Sequence, residues 1–329
     1  MKNNKYEIDM CNGTLMDKLI SFSLPLMLSG ILQLLFNAVD IIVVGRFTGR
    51  QALAAVGSTT ALINIFTNLF IGISLGANVL AARFYASGKE KEMSETVHTS
   101  ITLALISGLV MALAGVLLAR FALNLMGTPN DVIDQSVLYM RIYFLGMPFF
   151  MLYNYGAAIL RAVGDTKRPL FFLVISGMTN AVLNLVLVIV FHMGVAGVAI
   201  GTIVSQLISS ILVLRCLYTS NTSYRLYFSK LGIKTQYLKQ IFQVGIPAGI
   251  QGMCFSVANV CIQSAVNCFG AEGSAGFSIA LTFESLTYYI SNAFGQAAVT
   301  FTSQNYSVGN IKRCRQIFNW CLLLGGCIV

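Results

Sequence analysis

Apolar residues run through this chain in long blocks, separated by short polar turns rich in Gly, Pro and Asn. The blocks fall at about 19–45, 52–82, 96–119, 135–159, 169–191, 195–217, 241–269 and 274–303, and a ninth starts near 315 and is cut off at Val329. A membrane-crossing helix needs roughly 20 mostly apolar residues. The pattern therefore predicts an all-α polytopic membrane protein of eight spans, with part of a ninth. The first block is longer than a signal-peptide core and has no small-residue cleavage site behind it, so it reads as part of the mature protein. Composition agrees: 56% of residues are hydrophobic and 10% charged, against about 25% charged in a soluble globule.

Charge then sets the orientation. Of the 21 Lys and Arg residues, 17 fall on the side of the N-terminus, while Arg46, Arg50 and Arg120 fall on the other and Arg141 lies within a span. Positive loops stay in the cytoplasm, so the N-terminus is expected there, in a plasma (inner) membrane. The net charge of +9 is spread over short loops with no continuous basic stripe, so the partner it implies is the bilayer and not a nucleic acid. Cys254, Cys261 and Cys268 recur every seven residues, too far apart to chelate one metal, and read as small packing residues. His98 and His192 fall at predicted span ends, and no Ser or Cys stands in a recognisable catalytic setting, so an enzyme is not expected.

Polar residues inside the apolar blocks carry the remaining information. In Pro25 to Gly45 (PLMLSGILQLLFNAVDIIVVG), Gln33, Asn37 and Asp40 are spaced four and three apart and share one helical face. A carboxylate at mid-membrane costs about 3 kcal/mol on insertion scales, so an acid placed there marks a functional site. Pro25 lacks an N–H and is placed to bend that helix. The fifth span puts Ser176, Asn180 and Asn184 on one face, and the sixth (GVAGVAIGTIVSQ) brings close-approach glycines together with Thr202, Ser205 and Gln206. Asp40 with Asn180, Asn184 and Thr202 offers what an ion site in a bundle requires: one charge, with amide and hydroxyl oxygens as neutral ligands or hydrogen-bond partners. Either H+ or Na+ fits that set, and no other metal or cofactor is implied. Asn64 and Asn68, one turn apart, read as helix glue. Gln33 and Asn37 of the first span, the aromatic, Met-rich fourth span with Asn154, and Met178 in the fifth are candidates for a substrate cavity.

The polar stretch 219–240 divides the chain, and beyond it the pattern restarts: at an offset of 222, Pro25, Gly30 and Asn37 meet Pro247, Gly252 and Asn259. An even number of spans separates the copies, so the halves are related as a parallel repeat. Residues 1–218 form a six-helix N-terminal bundle, 219–240 a cytoplasmic linker, and 241–329 a partial second bundle. Ile262 replaces the acid in the second copy, whose polar face is Asn259, Gln263 and Asn267. Glu284, beside Tyr288, is the other deeply placed acid, and these residues join the cavity candidates.

FNAVDIIVVGRFTGRQALAAVG, the Pro fifteen residues before the Asp, LRAVGDTKRP and GVAGVAIGTIVSQ together resemble the multidrug and toxic compound extrusion (MATE) family, and the resemblance runs through all 329 residues. It implies two six-helix bundles around a V-shaped cavity, exporting small organic cations or drugs by antiport against H+ or Na+. It also implies that Asp40 is the coupling carboxylate, Pro25 the bending residue, and Asn180 and Thr202 its partners. This chain departs from the family at Asn184, where an acid is common, and in lacking an acid in its seventh span. It also ends in the ninth of the twelve helices, as a fragment or truncated product would. Alternatives are a lipid-linked saccharide flippase on a related twin-bundle plan, whose cavity would be lined with Arg and Lys, and a non-transporting membrane component. The substrate and the oligomeric state are left open by the residues.

Overall fold

The computed structural model describes the backbone of residues 6–267 and 270–328. It is all-helical among those residues, apart from turns. The helices are α1 (Leu15–Phe47), α2 (Arg50–Ala86), α3 (Glu90–Leu125), α4 (Ile133–Leu145), α5 (Met147–Ala162), α6 (Lys167–Leu185), α7 (Gly194–Thr219), α8 (Thr235–Asn267), α9 (Gly270–Ser307) and α10 (Ile311–Ile328). Six of them, α1, α2, α3, α6, α7 and α8, are long and apolar enough to cross a membrane, and α4 with α5, bent by 46° at their junction, makes a seventh when the pair is counted as one span. α9 and α10 are helical where the hydropathy pattern puts them, but are not among those six.

Three local features depart from the expectations. The fourth span breaks at Gly146, because Pro148 in the first turn of α5 cannot donate to the ladder and Gly146 lies against Ile203 and Gln206 of α7. Instead of ending as a plain helix, α6 runs into a π-helical turn at Val186–Val190, which starts two residues after Asn184. Cys254 and Cys261, read as packing residues, are exposed on α8, and Cys268 lies outside the described residues.

α1 is one continuous helix that packs on two different neighbours. Below Pro25, Leu15, Leu19 and Phe22 join Met10 in a core with Phe294, Ala297 and Phe301 of α9 and Ile317 and Leu324 of α10. Phe22 and Phe301 meet edge to face at 5.4 Å. Above it, Gly177 of α6 admits the ring of Phe36, and Val43 and Val44 enter the core of the first bundle. The Ser29 hydroxyl donates to the carbonyl of Pro25 at 2.8 Å, tying the turn after the proline.

The two halves meet along α2 and α8. Gly72 and Gly76 of GISLG face Gly245 and Gly249 of GIPAG, and a Cβ on any of the four would fall within the facing backbone. These paired small-xxx-small motifs allow direct backbone contact, the strongest packing available where lipid offers no hydrophobic drive. Toward the C-terminal end of α8, the Asn68 amide donates to the Ser256 hydroxyl at 2.8 Å. On the N-terminal side of the membrane, Thr300 donates to Asn78 at 3.0 Å, Asn78 to the Ala158 carbonyl at 2.8 Å, and Gln304 to the Ala162 carbonyl at 2.7 Å.

The linker is docked against the first bundle. Tyr224 and Leu226 are fully buried. His98, which lies within α3 and not at its end, is buried and accepts the Tyr227 N–H on Nε2 at 3.0 Å, while its Nδ1 donates to the Ser94 carbonyl at 2.5 Å. Removing a partner from a buried hydrogen bond costs about 1–3 kcal/mol. His98→Ala is therefore expected to lower the melting temperature and to make the 219–234 segment more sensitive to protease. An unchanged cleavage rate would show that His98 does not hold the linker.

Candidate ion-coupling site

Asp40 sits on the inner face of α1. Leu24, Leu28, Leu35 and Ile42 form an exposed stripe on the opposite face, so the helix is amphipathic within the membrane. The α6 face that α1 packs against carries Asn180 and Asn184, both buried. The Asn184 amide donates to Asp40 Oδ1 at 2.5 Å, a charge-assisted bond when the carboxyl is ionised. Gly201 of α7 makes this possible, since a Cβ there would collide with Asn184 Oδ1.

Asn180 completes the cluster in either of two amide orientations. In one it donates to the Thr202 hydroxyl at 3.4 Å and accepts from Asn184 at 3.3 Å. Rotated by half a turn, it donates to Asp40 Oδ1 at 3.0 Å and accepts the Thr202 backbone N–H at 3.3 Å. Asn184 Oδ1 is buried without a hydrogen-bond partner. The site thus holds one carboxylate and two amides able to turn either nitrogen or oxygen toward it, with a hydroxyl behind them. Such a set suits an ion that comes and goes, because Asn180 finds partners in both orientations and Asn184 Oδ1 has no bond to give up.

Two residues that the polar-face pattern did not single out lie near the site. Tyr139 and Tyr143, one turn apart on α4 with ring centroids 6.0 Å apart, lie within electrostatic range of Asp40. The signal for them is their spacing of four, which puts both rings on one face of α4.

The weaker cavity candidates disperse. Gln33 and Asn37 are exposed on the same side of α1 as Asp40, and Glu284 is exposed on α9. Tyr288, one turn from Glu284, is half-exposed and stacks on Phe255 of α8 with ring centroids 5.5 Å apart. Asn259 is half-buried on α8, while the side chain of Gln263 lies outside the described residues. Asn154 turns its amide back to the Phe150 carbonyl of its own helix at 2.8 Å, so one of its two N–H donors is used within α5. Met178 belongs to an exposed apolar stripe with Phe171, Val182 and Leu185, opposite Asn180 and Asn184. It is not part of the Asp40 cluster.

Comparison with known proteins agrees with this architecture. A family profile described as MatE matches residues 25–186 and 247–329. The chain is 30% identical over 321 residues to the probable multidrug resistance protein YoeA of Bacillus subtilis, covering 94% of this chain and 69% of that protein. It is 29% identical over 305 residues to the probable multidrug resistance protein YpnP of the same organism, covering 93% and 68%. The chain thus spans about two thirds of the length of these relatives. The fold matches that of a solved multidrug resistance MATE family transporter in its outward-facing conformation, with a TM-score of 0.91 and 23% identity over 98% of this chain and 72% of that one. With the profile covering well over half of its residues, the chain belongs to the MatE family, the multidrug and toxic compound extrusion transporters, and is a membrane transporter and not an enzyme.

Proposed function

We propose that the chain carries the ion-coupled half of a multidrug exporter that exchanges organic cations for H+ or Na+ by alternating access, with Asp40 as the coupling carboxylate. The observation that carries this reading is the bond from Asn184 to Asp40, which binds the intramembrane acid of α1 to the polar face of α6. Lipid offers a carboxylate nothing, so its ionised form depends on those amides. When an ion arrives, the amides lose their role as donors. A proton converts the carboxyl into a donor toward Asn180 or Asn184, whereas Na+ requires both amides to turn their oxygens inward. Either change alters what α1 gains by packing on α6, and Pro25 lies between that contact and the packing of α1 on α9 and α10.

The substrate reading rests on the exposed Gln33 and Asn37 of α1 and, separately, on Phe255 of α8 with Glu284 and Tyr288 of α9. Stacked aromatic rings with a nearby carboxylate attract a delocalised organic cation through both the ring faces and the charge. The orientation proposed is N-terminus inside, in the plasma membrane, from the bias of Lys and Arg to that side.

Reconstituted vesicles test the coupling directly. Uptake of a fluorescent organic cation is measured under a fixed pH gradient with and without sodium. Dependence on one of the two ions identifies it, and uptake that follows neither gradient defeats the proposal. Asn184→Ala is expected to weaken the apparent affinity for the coupling ion about 10-fold, the range found when a residue that orients an ion's ligand is removed. An unchanged ion dependence would remove Asn184 from the site.

A further inference from the structure

The segment before α1 is polar and aperiodic, yet it is tied at both ends. Glu7 accepts the hydroxyls of Tyr85 of the first bundle at 2.7 Å and of Tyr224 of the linker docked on that bundle at 2.8 Å. Arg168 lies over the ring of Tyr6 at 5.4 Å, and Gly164, at φ +93°, presses against the backbone of Ile8. Three residues later the partners change. Met10 is fully buried against α9 and α10, and its carbonyl accepts the Asn305 amide at 3.1 Å and Arg313 Nε at 3.2 Å. The same guanidinium donates to the Gly13 carbonyl at 2.9 Å and the Asn12 carbonyl at 3.0 Å. Lys18 folds back onto the carbonyls of Asp9 and Asn12, at 2.6 Å each, and Asp9 accepts the backbone N–H groups of Cys11 and Asn12, closing the turn between the two anchors.

We propose that residues 6–13 form a clasp that holds the N-terminal side of the transporter shut, with Glu7 as its anchor on the first bundle and Arg313 as its anchor on the second. The clasp lies on the same side as the Thr300, Asn78 and Gln304 contacts and leads straight into the half of α1 that packs on α9 and α10. Opening that side requires the two bundles to part, and a short strand fixed to both must release one end. Since the anchors act in series, loss of either one releases the clasp, and loss of the second adds nothing. This proposal rests on the alternating-access reading above.

Distances between spin labels at Lys91→Cys and Val308→Cys, in the full chain in lipid with its native cysteines replaced, report the closed and open populations. Arg313→Ala is expected to raise the open-to-closed ratio about 10-fold, equivalent to about 1.4 kcal/mol. Glu7→Gln is expected to shift it in the same direction, the double variant no further than the larger single shift, and Lys312→Ala not at all. Arg313→Lys, which keeps the charge and loses the fork, recovers part of the closed state. Two populations in the parent protein that Arg313→Ala and Glu7→Gln leave unchanged, or a double variant whose effect is the sum of the singles, overturn the clasp and leave the transport reading standing. A single population in every sample, with and without an organic cation, overturns alternating access itself.

Discussion

Asp40→Asn is expected to abolish ion-driven accumulation of organic cations while leaving the protein folded and the substrate bound. The substitution is close to isosteric and removes the charge, so Asn184 and Asn180 keep a polar neighbour and the packing of α1 on α6 survives. What disappears is a group that takes up an ion on one side of the membrane and releases it on the other. For a monovalent organic cation exchanged one for one, the charges cancel, and a tenfold ion gradient sustains a tenfold substrate gradient, about 1.4 kcal/mol. A neutral substrate would gain a further 2.3 kcal/mol per 100 mV from the membrane potential. In the variant the steady-state ratio should fall to one, and downhill exchange of labelled for unlabelled substrate should persist. Both are measured in the same vesicles. Active accumulation at the parent rate would mean that the carboxyl does not couple transport, whatever its place among the helices.

The elements of the site were legible because intramembrane polar residues are few and must face inward. Asn180 and Asn184 are one turn apart, and so share a face, while Asp40 stands alone as a mid-span acid in the first helix. Their meeting follows from helix periodicity and the cost of leaving them in lipid. Met178 and Asn154 show the limit of that logic. Proximity in sequence to polar residues does not fix the face of a Met, and an Asn amide that bonds back to its own helix need not face a partner on another.

The segment before α1 was legible only as a polar lead-in. Nothing in its residues reveals that Glu7 bonds to a residue 217 positions away or that Met10 bonds to one 303 positions away. Long-range polar pairing has no period, and its partners become visible only when the fold brings them together. The break at Gly146 was hidden for a different reason. Hydropathy counts apolar residues, and a kinked run of them scores the same as a straight one.

Gly76→Val is expected to have the second large effect, on the seam between the halves. GISLG and GIPAG were present in the sequence, but a small-xxx-small pair has meaning only beside its partner, and the two lie far apart in the chain. In the structure a side chain at Gly76 would meet the backbone of Ile241 and Gly245, neither of which has a flexible end to yield. Inserted volume in a tight contact costs up to about 3 kcal/mol, and a backbone-to-backbone contact lies at the upper end of that range. A closed state penalised by that amount loses roughly 150-fold in population relative to one in which α2 and α8 separate. Efflux should drop accordingly, and so should the yield of a disulfide between Asn68→Cys and Ser256→Cys, whose native side chains touch at 2.8 Å. Gly57→Val provides the comparison on the same helix, because a Cβ there has no neighbour within 4 Å. It should leave both measurements unchanged. If Gly76→Val cross-links and transports as well as Gly57→Val, the two halves do not depend on this seam, and their closed arrangement is held by the polar contacts of Asn78, Thr300 and Gln304 instead.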